Sequence, residues 1–148
     1  MTRHLLIISC SNSKDKRPGL LPALERYTGA WYGVINKLKR EGKFPGNLDV
    51  LIISAKYGLI GSNEIIEYYN RRMDVSRARE LNGLIIGKLK QTLEDEEYES
   101  MLINLGKDYM EAIRGFERIV PASTRVSMLS GSIGPRKSRL KKWILSIQ

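Results

Sequence analysis

Lysines 14, 56 and 107 each stand a few residues beyond an apolar run, in the company of small hydroxyl, thiol or amide groups. Ser9, Cys10, Ser11, Asn12, Ser13 and Lys14 follow Leu5-Leu6-Ile7-Ile8. Ser54, Ala55, Lys56, Tyr57 and Gly58 follow Val50-Leu51-Ile52-Ile53, and Asn104, Leu105, Gly106, Lys107, Asp108 and Tyr109 follow Met101-Leu102-Ile103. A loop ammonium binds an anion or, once desolvated and lowered in pKa, acts as a nucleophile or proton donor. One such lysine is more often simply solvated; two that converge are harder to dismiss. The serines can meet a phosphate or a base edge, and they can equally cap turns.

A second group, Glu64 to Asn70, combines carboxylates, phenols and an amide. Glu67 is the candidate acid or base, Tyr69 a stacking surface for a nucleobase, and Asn70 a reader of a base edge or an orienter of water. A packed aromatic beside a surface glutamate would look the same. Gly106-Lys107 and the segment Ser130-Gly131-Ser132-Ile133-Gly134-Pro135-Arg136-Lys137 put glycine and cations at helix starts, where free N–H groups and the helix dipole favour anions. Gly131, Gly134 and Arg136 are therefore candidate phosphate contacts, although Gly-x-x-Gly alone is weak evidence and Arg136 and Lys137 also suit a solvated helix end.

Other chemistry is disfavoured. His4, the sole histidine, precedes the first strand and is predicted at the end of the sheet away from the polar loops, so a histidine-based triad is not expected. One cysteine and one histidine cannot form an ordinary zinc centre, and no carboxylate spacing suits magnesium, so neither metal nor cofactor is expected. Gly83 to Lys88 has glycines one residue too close for a phosphate loop, lacks a hydroxyl after Lys88, and lies in helical periodicity.

These residues need a frame that gathers them. Continuous Val, Ile and Leu runs read as strands buried on both faces, as in parallel sheets, whose ligand crevices lie beyond the carboxyl ends of the strands. The spacing predicts a helix over residues 20–41, a strand over 49–54, and a turn at Gly58 and Gly61. A helix over 76–93, a strand over 101–105 and a short helix over 107–113 follow, then strands over 118–120 and 125–129. A final helix carries Pro135 in its first turn. The alternation predicts an α/β fold: a three-layer α/β/α sandwich with a mostly parallel sheet of four or five strands, in one domain spanning 1–148.

The 148 residues carry a formal charge of +9 and a pI near 9.8, which favours phosphate-bearing partners and also simple solubility. A lone cysteine and a start without a leader-like run suggest a cytoplasmic protein, and no apolar stretch is long enough for a membrane span.

On these residues the chain resembles a domain family of unknown function from bacteria, archaea and phages. That pattern comprises Ser-Cys-Ser-x-x-Lys, a Tyr-Thr-containing helix, Ser-Ala-Lys-(Tyr or His)-Gly-Leu, Ile-Glu-x-Tyr-Asp, Gly-Lys-x-Tyr and a glycine-rich final helix start. It is met here at Ser9, Cys10, Ser11, Lys14, Tyr27, Thr28, Ser54 to Leu59, Ile66, Glu67, Tyr69, Gly106, Lys107, Tyr109, Gly131 and Gly134. Asn70 stands where the pattern has Asp, and Ser132-Ile133-Gly134-Pro135 replaces a more glycine-rich turn. The family is distantly similar to uracil-DNA glycosylase-like domains, including that of archaeosine synthases, and some members are labelled as related to peroxide-stress proteins that bind DNA. The resemblance implies nucleobase or nucleic-acid chemistry, and together with the convergence of polar loops it leads to the expectation of an enzyme acting on a nucleotide or on a nucleobase in nucleic acid, by N-glycosidic cleavage or base exchange. Lys56, Glu67 and Asn70 would be catalytic; Ser9, Cys10, Ser11, Lys14, Ser54, Tyr57, Tyr69, Gly106, Lys107, Gly131, Gly134 and Arg136 would bind. The alternatives are a non-catalytic nucleic-acid-binding module using the basic C-terminal stretch, or a nucleotide sensor.

Overall fold

A computed structural model describes residues 2–147. In chain order the elements are β1 (Arg3–Ser9), β2 (Leu21–Pro22), α1 (Ala23–Arg26), α2 (Ala30–Arg40), β3 (Leu48–Ser54), β4 (Gly58–Gly61), β5 (Ile65–Ile66) and α3 (Val75–Asp95). They continue with β6 (Tyr98–Asn104), 3₁₀ helices at Lys107–Ile113 and Phe116–Arg118, β7 (Arg125–Met128) and α4 (Ile133–Ser146). The main sheet runs β4-β3-β1-β6-β7. β1, β3, β6 and β7 are parallel, and β4 pairs antiparallel to β3 at one edge.

The apolar runs form the middle of this sheet, as expected for strands covered on both faces. Leu6 lies opposite Val50 and Leu102, Ile8 opposite Ile52 and Asn104, and Leu5 to Ile8 are all at most 1% exposed. α2 and α4 pack on each other, while α3 packs on β4 and the first 3₁₀ helix. Asn82 of α3 clamps that 3₁₀ helix by donating its amide to the carbonyls of Glu111, Ala112 and Arg114. The architecture is the expected α/β sandwich with five strands.

Three local expectations are corrected. Residues 20–41 do not make one helix: the chain is extended at Tyr27 and Gly29 between α1 and α2. The preceding loop captures this segment, with Lys14 bridged antiparallel to Tyr27, Thr28 N–H donating to Ser13 O and Asp15 N–H to Arg26 O. Gly58 and Gly61 bound a strand rather than only a turn; Gly58 has φ +85, and a Cβ there would lie 3.0 Å from Leu84 Cδ2, so glycine is required by both conformation and space. Residues 118–120 form no strand, because the N–H groups of Ile119 and Val120 turn back to Phe116 O.

His4 sits at the amino end of the sheet, as expected, with Nδ1 2.6 Å from Ser100 Oγ. Gly83 and Gly87 lie within α3. Among the described residues, no helix is long and apolar enough to cross a membrane, and no group of three or more His, Cys, Asp or Glu side chains is placed to hold a metal ion.

Candidate functional site

β1, β3 and β6 are adjacent and parallel, so their carboxyl ends bring Cys10, Ser54 and Asn104 to one rim. The connection from β1 leads to β3 on one side, and that from β6 leads to β7 on the other. Connections diverging from neighbouring strands leave a crevice between them. Tyr109, on the first 3₁₀ helix, borders it: its hydroxyl lies 3.1 Å from Cys10 Sγ and donates to Cys10 O at 3.3 Å.

Beside Cys10 is a ring of hydroxyls. Tyr27 donates to Ser54 Oγ at 3.3 Å. Tyr27 and Tyr69 hydroxyls are 2.7 Å apart, and Ser54 Oγ is 3.0 Å from Tyr69. Because each hydroxyl has one hydrogen, the ring closes with Ser54 donating to Tyr69 and Tyr69 to Tyr27. Ser54 Oγ also accepts the N–H groups of Lys56 and Tyr57, which fixes the turn after β3.

Two lysines converge on this ring. Lys14 Nζ lies 4.5 Å from the Tyr69 ring centre and 5.9 Å from that of Tyr27. Lys56 Nζ lies 5.2 Å from Tyr57 and 5.9 Å from Tyr69. Each ammonium therefore faces the same phenol, at distances where the negative ring face attracts a cation. Neither lysine has a carboxylate partner among the described residues. Burial pushes the Lys14 ammonium below its ordinary pKa, opposed only by charge on Cys10. Burial likewise raises Tyr27 to about 12, an effect its hydrogen bonds with Ser54 and Tyr69 reduce. Tyr69 and Tyr109 are raised still further, by burial and then by charge on Cys10. At neutral pH these phenols are hydrogen-bond donors and not bases.

The backbone under the lysines is pinned from below. The fully buried Arg26 donates to the carbonyls of Asp15, Arg17, Gly19 and Ile66, locking the loop after β1. Arg77 of α3 donates to the carbonyls of Ala55 and Lys56. Gly29 lets the loop close: a Cβ there would lie 2.7 Å from Ser11 Oγ.

Of the candidates from the sequence, Cys10, Lys14, Ser54, Lys56, Tyr57 and Tyr69 come together. Ser9 is buried with its carbonyl accepting the Tyr32 hydroxyl, and Ser11 Oγ donates to Ser13 O, so both are engaged in local structure. Glu67 and Asn70 flank the site in sequence but are exposed, without a hydrogen bond or ion pair among the described residues. Gly106 leads into the turn that carries Tyr109, whose N–H bonds to its carbonyl. Lys107 instead lines a separate open depression of about 950 Å³ with Glu111, Arg114, Phe116 and Arg118, which includes no member of the lysine–tyrosine cluster. Gly131 and Gly134 are exposed at the start of α4, whereas Arg136 turns inward to Asn104. Tyr32, Asn104 and Trp31 also border the site, although none was a candidate from the sequence. Asn104, a polar residue closing an apolar run, carried a legible signal; Tyr32 and Trp31 read only as helix face.

No curated protein matches the chain. A solved structure, that of AF0587, a protein of unknown function, is similar over 97% of this chain with a TM-score of 0.58 and 16% sequence identity. The chain spans 44% of that protein's length. A family model matches residues 5–142, and the chain belongs to that family of unknown function, DUF6884.

Proposed function

We infer that the lysine–tyrosine cluster binds a nucleotide, free or within nucleic acid, and that the protein acts on its base by N-glycosidic cleavage or base exchange. The observation that carries this reading is the pair of ammoniums facing one tyrosine ring with no carboxylate to neutralise them. Such an arrangement favours an anion next to an aromatic surface, which is what a nucleotide supplies. Tyr57, half-buried, is the ring within reach of a base; Tyr69, 6% exposed, forms the floor beneath the lysines. Lys14 and Lys56 would stabilise negative charge as it develops on a departing base or on phosphate. Glu67 and Asn70 would orient the incoming nucleophile from the solvent side. The family's distant similarity to uracil-DNA glycosylase-like domains, a fold-level analogy, favours the same substrate class.

The test is Lys56→Ala, an exposed position where folding should be unaffected. Nucleotide affinity or turnover should fall by about tenfold or more, the scale of one lost charge-assisted contact. A normally folded variant with full affinity and turnover would sink the reading. A non-catalytic nucleic-acid-binding module is the second reading, favoured by the exposed cations Lys137, Arg139, Lys141 and Lys142 on α4.

A further inference from the structure

Two arginines of this chain are buried, and they are satisfied very differently. Arg26 spends its N–H groups on four backbone carbonyls. Arg136, 8% exposed, donates Nε and Nη2 to one amide oxygen, Asn104 Oδ1, at 3.2 and 2.6 Å. Its guanidinium lies over the Trp31 ring at 4.8 Å, Nη1 donates to no described residue, and no carboxylate pairs with it. A second cation, Arg139, stands close enough to oppose its charge. Burying a cation is costly unless a counter-ion accompanies it. Here stacking and one amide orient the fork and leave its charge uncompensated.

The surroundings point the same way. Asn104 is fully buried at the end of β6, and its Nδ2 has no hydrogen-bond partner. Arg136 lies in the first turn of α4, where Ser132 supplies no side-chain cap and the N–H groups of Ile133 and Gly134 donate to no described residue. A guanidinium with no carboxylate partner and a free Nη1, carried by a helix whose first amides are also free, suits a tetrahedral oxyanion, which accepts several charge-assisted bonds at once.

We propose that Arg136, oriented by Asn104 and Trp31, docks the phosphate monoester group of the ligand whose aromatic end meets Lys14, Lys56 and Tyr57. This rests on the nucleotide reading above and assigns the phosphate its own subsite. Asn104 is a positioning residue: it acts through the guanidinium.

Calorimetric titration of the full chain with inorganic phosphate, a nucleoside monophosphate and the matching nucleoside tests the assignment. The wild type should bind inorganic phosphate. Arg136→Gln should weaken both phosphate-bearing probes by about tenfold to a hundredfold while leaving the nucleoside within about twofold. Asn104→Asp is the second variant, in case loss of Arg136 impairs folding. It places an internal carboxylate on the guanidinium, so it should abolish phosphate binding while keeping or raising Tm. A merely structural role for Asn104 would leave phosphate binding intact. Failure of the wild type to bind inorganic phosphate, or unchanged phosphate affinity in folded Arg136→Gln or Asn104→Asp, overturns the proposal. The nucleotide reading fails separately, on undiminished nucleotide affinity and turnover in Lys56→Ala.

Discussion

Burial depresses the pKa of Lys14, and the groups facing it are the Tyr69 and Tyr27 rings and Cys10, with Lys56 across the same phenol; none is a carboxylate. Its charged form is therefore disfavoured in the folded chain relative to the unfolded one. Folding stability should rise with pH between the lowered native pKa and the ordinary lysine value of 10.5, because the unfolded chain holds more protons in that interval. Ligand affinity should do the opposite, declining as pH climbs through the lowered value, because a neutral amine no longer attracts the electron-rich end of the ligand. A binding profile against pH checks this, and Lys14→Arg should remove that alkaline decline; a flat profile in the wild type would exclude Lys14 as a contact. Tyr69→Phe probes the hydroxyl ring. It keeps the ring beneath the lysines but leaves Ser54 without its acceptor and Tyr27 without its donor, so it should cost about 1–3 kcal/mol of stability in denaturant unfolding.

The central strands were legible because continuous Val, Ile and Leu runs have few alternatives once a layer of helices covers each face. The long helix α3 was legible as well, from Ala78, Leu81, Ile85 and Leu89 at helical spacing, all buried. Its start rests on Asp74, whose side chain accepts Arg77 N–H at 2.7 Å. Asp74→Ala should cost about 1 kcal/mol, read as a lower Tm, with ligand binding unchanged. The segment around residues 20–41 was misread for a physical reason. Its apolar spacing suits a helix, yet pairing of Lys14 with Tyr27 competes for the same backbone, and periodicity carries no information about a partner thirteen positions away. The same blindness hid Arg26, whose four carbonyl acceptors lie in a loop and a short strand that only the tertiary fold assembles.

Across the whole molecule, the candidate site was half legible. Strand ends that meet at one rim follow from parallel pairing, so Cys10, Lys14, Ser54 and Lys56 could be grouped in advance; the inward turn of Arg136 and the separation of Lys107 depend on how α4 and the 3₁₀ helices pack. The net charge of +9 is spread well beyond this rim, with Arg139, Lys141 and Lys142 exposed on α4. If that helix lies on a phosphate backbone, the slope of log affinity against log salt should shrink by about 0.9 per neutralised contact, hence by about 2 to 3 when all three are changed to Gln. Salt-insensitive binding would remove α4 from the interface. The contact between Tyr109 and Cys10 has a practical consequence: the polypeptide's sole thiol is buried beside the crevice under the Tyr109 hydroxyl, so iodoacetamide alkylates it only when this rim opens, and the rate gauges that opening without any engineered label. Compounds that fill the cleft should slow that reaction, which makes the native protein its own screening reporter.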